Sequence, residues 1–250
     1  MSGQTHTIQR VYIYIYFFVI NLFISSQKYF LGQTKENLFQ IVPECNWIPD
    51  ELHLFLRISD VLITEFFNDL NEDPKVFREK ISGQILAEMK RIKVHFEFYE
   101  SKTLRGKLGW TSLMGPAKLT LLENFQVSHF ITGKRGQDIE NLWHEFLSLY
   151  KFMRQPELSY DQIDEFEKRA KDWIRLFCRR SIGSATKVIE EGIYPRTSVT
   201  PYMHVFAQHI PQFMRQLKQQ GLSLRLFSTS SLEKKNHEQV VFHCYCFKDF

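Results

Sequence analysis

His204 and His209 lie five residues apart in the stretch Thr200-Pro201-Tyr202-Met203-His204-Val205-Phe206-Ala207-Gln208-His209-Ile210-Pro211. Imidazoles are good zinc ligands, so a histidine pair on one helix raises the question of a metal site. On a regular helix a spacing of five separates two side chains by roughly 140°, which is poor for chelation. Pro211 alters that expectation. Its ring clashes with the carbonyl four residues earlier, at Ala207, and it lacks an N–H to donate. The helix should loosen between the two histidines and allow both rings to face one ion. A structural zinc also needs two more ligands, usually a C-x-x-C pair, and the chain has none. Cys244-Tyr245-Cys246 is C-x-C, a weaker candidate. Taken alone, the histidines read as ordinary, partly buried side chains.

Glu233, in Ser230-Ser231-Leu232-Glu233-Lys234-Lys235-Asn236, is a single acid after a short apolar alternation. A carboxylate there could hold a hard divalent cation. Two-metal phosphoryl chemistry requires several acids converging from different elements, so one Glu on its own reads as a solvated surface charge. Asp50, Glu51 and Asp60 read as helix cap and surface charge. Arg175, Arg179 and Arg180 read as a solvated helix end that could touch phosphate. Cys178 has no base pattern beside it. No phosphate-binding Gly-rich loop, nucleophile elbow or H-E-x-x-H is present.

The elements that must position these residues are mostly helical. Asp50 suits the cap of a helix whose stripe is Leu52, Phe55, Ile58, Leu62, Phe66 and Leu70. Asp73-Pro74 starts a second, with Phe77, Ile81, Ile85, Met89 and Ile92 inward. The period then drops to two: Val94, Phe96 and Phe98 alternate with His95, Glu97 and Tyr99, and Leu108-Gly109-Trp110 returns as the second strand of a hairpin near 94–110. A short helix follows Pro116 to Phe125. Another runs from about Gln137 to Met153 with Ile139, Leu142, Trp143, Phe146 and Tyr150 inward. Ser159 and Gln162 form a capping box for a helix that buries Ile163, Phe166, Ala170, Trp173 and Phe177. Residues 182–198 read as an irregular loop. Thr200-Pro201 opens the histidine helix, which ends near Gly221, and Leu222, Leu224 and Leu226 read as a short strand.

Composition agrees with a packed, aromatic core. The 250 residues are 44% hydrophobic and 24% charged, with 23 Phe and only 11 Gly and 8 Pro. That excludes a long disordered linker. Four cysteines do not make a disulfide scaffold, so a reducing compartment is the default. The net charge of +4 permits nucleic-acid binding without arguing for it. Val11–Ile24 is strongly apolar but short of the ~20 residues of a spanning helix. It stands open between a segment outside the fold, a signal or membrane segment, and a buried strand.

Four blocks carry a family resemblance. They are Pro49-Asp50-Glu51 with Leu52-His53-Leu54-Phe55-Leu56-Arg57-Ile58-Ser59-Asp60-Val61-Leu62; Leu108-Gly109-Trp110-Thr111-Ser112-Leu113-Met114-Gly115-Pro116-Ala117-Lys118; Thr200-Pro201-Tyr202-Met203-His204; and Leu232-Glu233-Lys234-Lys235-Asn236. In this order, over about residues 37–236, they resemble a transposon-derived group related to the Kyakuja-Dileera-Zisupton transposases. More distantly they are similar to the catalytic subunit of the V(D)J recombinase.

The resemblance implies a ribonuclease-H-like core split by a helical insertion, with zinc and magnesium as the family's metals. By position His204 and His209 carry over as zinc histidines and Glu233 as the third metal-binding acid. The family's two catalytic aspartates and its C-x-x-C pair belong upstream of the Leu52 block, where nothing in this chain matches.

The resulting expectation is a mainly α chain with minor β. Residues 1–36 form an apolar, low-complexity segment outside the fold, 37–198 a helical insertion-like domain, and 199–250 a remnant of the core. It is expected to be a transposase-derived fragment without strand-transfer activity, bearing no cofactor of its own. Its expected partners are DNA, a full-length transposase or another protein, and not a small-molecule substrate or a membrane. Its expected location is the nucleus or cytoplasm, with a membrane-anchored or secreted helical protein as a rival and a metal-dependent enzyme completed in trans as another.

Overall fold

The computed structural model describes residues 48–100, 108–184, 187–230 and 235. Val11–Ile24, Glu233, Cys244 and Cys246 lie outside them. The described residues are mainly helical, with two small antiparallel sheets.

Helix α1, Glu51–Leu70, starts where Asp50 accepts a hydrogen bond from the Leu52 N–H at 3.1 Å. Its buried face is wider than the single stripe of the sequence, because Leu54, Ile63 and Phe67 are buried beside Phe55, Ile58, Leu62 and Phe66. Helix α2 is composite. Asp73 caps Pro74–Val76, a π turn follows over Phe77–Ile81, and Ser82–Arg91 completes it.

Strands β1 (Phe98–Glu100) and β2 (Leu108–Trp110) pair with Phe98 opposite Trp110, Tyr99 opposite Gly109 and Glu100 opposite Leu108. The inward alternation begins earlier, with Val94 and Phe96 buried, although ladder pairing covers only the last part of the extended run. Phe67, Phe77, Phe96, Phe98 and Trp110 form an aromatic cluster under this hairpin.

Helix α3 is Gly115–Asn124, α4 is Gly133–Met153 and α5 is Tyr160–Phe177. The Ser159–Gln162 capping box forms in both directions. Gly136 lets the first turn of α4 press against the turn before it: a Cβ there would sit 1.6 Å from the Ile131 carbonyl oxygen. Helix α6 is also composite, with Pro201–His204, a π turn Val205–His209 and Ile210–Gln219.

The core lies between α1, α4, α5 and α6. Phe55 stacks on Tyr150 at 4.4 Å, and Phe66 meets Trp143 edge-on at 5.6 Å. Phe206, wholly buried, stands edge-on to Phe146, Phe166 and Trp173 within 5.9 Å. The Trp173 indole N–H, which would otherwise be stranded, donates to the Leu142 carbonyl at 2.8 Å. Helix α6 is therefore built into the same core as the helices before it.

Two sequence expectations fail locally. Residues 182–198 are not wholly irregular: β3 (Ile182–Ser184) pairs with β4 (Lys187–Glu190), and a 3₁₀ turn covers Arg196–Ser198. Leu222, Leu224 and Leu226 do not form a strand. Leu224–Phe227 is a 3₁₀ turn, with Leu224 buried and Leu226 53% exposed, so the alternation does not face one core.

Candidate functional site

The π turn settles where the two histidines point. A regular helix bonds residue i to i−4, whereas here the Ile210 N–H reaches back to the Val205 carbonyl, five residues away. The wider turn relieves the conflict that Pro211 would create with the Ala207 carbonyl. It also places side chains five apart nearly above one another. The His204 and His209 rings lie 5.1 Å apart between centroids, at 67°. Desolvation, and then the neighbouring His209, hold the His204 imidazole below its ordinary pKa, so it is neutral at pH 7. Nδ1 of His209 lies 3.4 Å from the Gln212 side-chain oxygen.

A pair of imidazoles provides two of the four ligands of a structural zinc. Among the described residues no group of three or more His, Cys, Asp or Glu could hold a metal. The described cysteine, Cys178, sits at the C-terminal cap of α5, and burial raises its thiol pKa, which suits an inert side chain. On the described residues alone, the pair does not fit a tetrahedral zinc site. The structure brings His204 and His209 together, and the placement of Glu233 lies outside what it describes.

The basic cluster at the end of α5 is solvated at Arg175 and Arg180, as its sequence suggests, and largely covered only at Arg179. Arg175 pairs with Asp172 at 2.6 Å, and Arg179 with Asp138 at 2.7 Å and Glu190 at 3.2 Å. A groove between α4 and α5 is lined by His144, Ser148, Lys151, Phe152 and Arg169. Its cations are also neutralised, Lys151 by Glu123 and Arg169 by Glu145.

A second polar site surrounds the N-terminus of α1, and the sequence reading misassigned it. Glu51 is not a surface charge. Its side chain is wholly buried and its carboxylate pairs with the Arg154 guanidinium at 2.9 Å. Burial drives the Glu51 carboxyl above its ordinary pKa, and Arg154 only partly offsets this. Arg154 also lies over the Tyr150 ring, whose phenol is pushed up to about 12 by burial and by the Glu51 charge. Asp60, by contrast, is 43% exposed and pairs with the buried Lys118 at 2.6 Å.

Asp50 does more than cap α1. Its carboxylate also accepts from the His53 Nδ1 and from Thr229, whose hydroxyl lies at 2.5 Å and whose N–H lies at 3.3 Å. Burial raises the Asp50 pKa, but the bonds from His53 and Thr229 together outweigh it and leave it lowered. Ser228 and Ser230 bond to each other beside it at 2.6 Å. Four hydroxyl residues in a row, Ser228 to Ser231, were the visible signal, but their partner lies 179 positions away.

Among the described residues, no helix is long and apolar enough to cross a membrane. Comparison of the chain with protein-family models, curated proteins and solved structures gives no match.

Proposed function

We propose that the chain is transposon-derived, lacks strand-transfer activity of its own, and acts inside the cell by binding DNA or another protein. In this reading residues 199–250 are a remnant of a ribonuclease-H-like core and the helices before them its insertion. The observation that carries it is the juxtaposition of His204 and His209. A spacing of five brings two imidazoles together only where a helix is widened, and here a π turn spans that interval. The turn also accommodates Pro211 and seats Phe206 in the core, and a histidine pair brought together across it is what a degenerate zinc half-site would leave.

The binding role draws on how the charge is distributed. Residues 74–107 carry nine of the chain's 32 Lys and Arg but four of its 28 Asp and Glu. That stretch holds a net +5 against +4 for the whole chain, so the rest is slightly acidic. In the described part of it, Lys75, Lys80, Lys90 and Lys93 are exposed on α2 and the turn after it. A concentrated basic stretch is the footprint of a phosphate backbone partner.

Mobility shift of duplex DNA at two salt concentrations tests this. Affinity should fall as salt rises and should weaken when the four lysines become Ala, with no sequence preference required. Salt-independent binding, or binding unaffected by the four substitutions, would count against it. A second reading uses the same histidine geometry: another chain supplies the missing acids and cysteines, and the assembly is an active Mg-dependent DNA transposase. Cleavage of DNA ends only in the presence of such a partner would favour it.

A further inference from the structure

The segment Ser228–Ser230 is held against the start of α1 by polar contacts. Leu224 anchors the turn just before it in the core, whereas Leu226 is more than half exposed. From Ser228 to Ser230 the contacts are hydrogen bonds: Thr229 donates through its N–H and hydroxyl to Asp50, and Ser228 bonds to Ser230. The notch that receives them is acidic. Asp50 and the buried Glu51 stand side by side, Arg154 is already paired with Glu51, and the His53 ring is already bonded to Asp50. The latch therefore depends on Thr229 presenting a hydroxyl proton to a carboxylate.

We propose that Thr229 is a phosphorylation site and that its modification releases this segment from α1. The acceptor step is an ordinary kinase transfer. The Thr229 Oγ1 attacks the γ-phosphorus of a nucleoside triphosphate, its proton passes to the kinase's base, the bond from that phosphorus to the bridging oxygen breaks, and the diphosphate leaves. The hydroxyl that donated to Asp50 becomes the ester oxygen of a phosphate group whose other oxygens carry about two negative charges, set against Asp50 and Glu51. Donation turns into like-charge repulsion in a partly desolvated notch, and the hydrogen bonds of Ser228–Ser230 that hold it there are polar. The chemistry of the surroundings suits a kinase that reads cations: exposed Arg225 precedes Thr229 by four residues, and Lys234 and exposed Lys235 follow it. The inference does not rest on the transposase reading.

The test incubates the full chain with ATP and a basophilic protein kinase, maps the phosphosite by mass spectrometry, and follows amide hydrogen exchange. Phosphate is expected on Thr229. Amides from Leu222 to Ser230 and in the first turn of α1 should then exchange faster by about tenfold or more, because bonds to a charged acceptor are lost. Protection in α4 and α5 should stay unchanged, which separates release from unfolding. Thr229→Val removes the donor without adding charge and should open the segment less than Thr229→Glu. The proposal is overturned if Thr229 takes no phosphate, if it does so with no change in exchange, or if Val and Glu at this position behave alike.

Discussion

Glu51 and Arg154 meet at 2.9 Å with the carboxylate wholly buried and the guanidinium about one third exposed. The two are not equivalent partners. Arg154→Ala strands a buried carboxylate and is expected to cost about 3 kcal/mol, the low end for breaking a buried pair, because Arg154 keeps some water. Glu51→Gln leaves Arg154 able to reach solvent and should cost clearly less. Urea denaturation of the two variants at pH 7 gives the comparison, and equal losses would show that Glu51 is solvated in solution.

The same carboxylate sets a pH dependence. The folded Glu51 pKa lies above its unfolded value near 4.5, so the folded state binds the proton more tightly. Glu51 therefore costs stability above its folded pKa, and that cost is relieved as pH falls through it toward 4.5. Asp50 works in the opposite sense. Its folded pKa is below 3.8, so its contribution is intact above 3.8 and is lost only as pH falls further. The stability of the native chain relative to Glu51→Gln should rise on acidification toward pH 4.5. Relative to Asp50→Asn it should fall only below about pH 4. Denaturation midpoints measured at half-unit steps from pH 7 to pH 3 would expose a wrong sign in either.

Phe206 offers a test of how the histidine helix joins the core. It is fully buried against Phe146, Phe166 and Trp173, side chains from two other helices. Phe206→Ala should cost about 3–5 kcal/mol, with Phe206→Leu losing less. A loss below about 1 kcal/mol in calorimetry would mean that α6 is only loosely attached.

How much of this was legible follows from which interactions are local. The Ser159–Gln162 capping box and the Ile163, Phe166, Ala170, Trp173, Phe177 face lie within one helix, and the sequence states both completely. The loosening of α6 was readable from Pro211, though its form as a π turn was not. Glu51 escaped because its burial depends on Arg154, 103 positions away, and on the tail near Ser228, which no periodicity encodes. The β3–β4 hairpin escaped because two of its apolar residues, Ile182 and Ile189, are 54% and 74% exposed, so they mark no buried stripe. The Leu222–Leu226 alternation misled for the complementary reason: it had the period of a strand and, among the described residues, no partner strand to pair with.

Catalysis gives a sharper outcome. Two-metal phosphoryl transfer needs acids that hold both ions about 4 Å apart, and under the proposed transposase reading only Glu233 corresponds to such an acid. Purified chain with Mg²⁺ or Mn²⁺ should neither cleave nor join DNA ends. Metal-dependent nicking that disappears on Glu233→Gln would refute the inactive reading and return the chain to the enzymes.

The histidine pair yields the last prediction. Two imidazoles whose centroids lie 5.1 Å apart can share an ion, but two ligands bind zinc far more weakly than a four-ligand site, whose binding stabilises a fold by ~10 kcal/mol or more. Binding raises stability only as far as the ligand concentration exceeds its dissociation constant. Micromolar zinc should therefore leave the melting temperature unchanged and should not co-purify at one ion per chain. His204→Ala and His209→Ala should likewise melt close to the native chain, since neither ring is part of the aromatic core. The measurement that discriminates is elemental analysis together with Cys244→Ser and Cys246→Ser. One zinc per chain that both substitutions remove would mean that the C-x-C pair completes the site, and the histidines would then be half of a working centre rather than a relic.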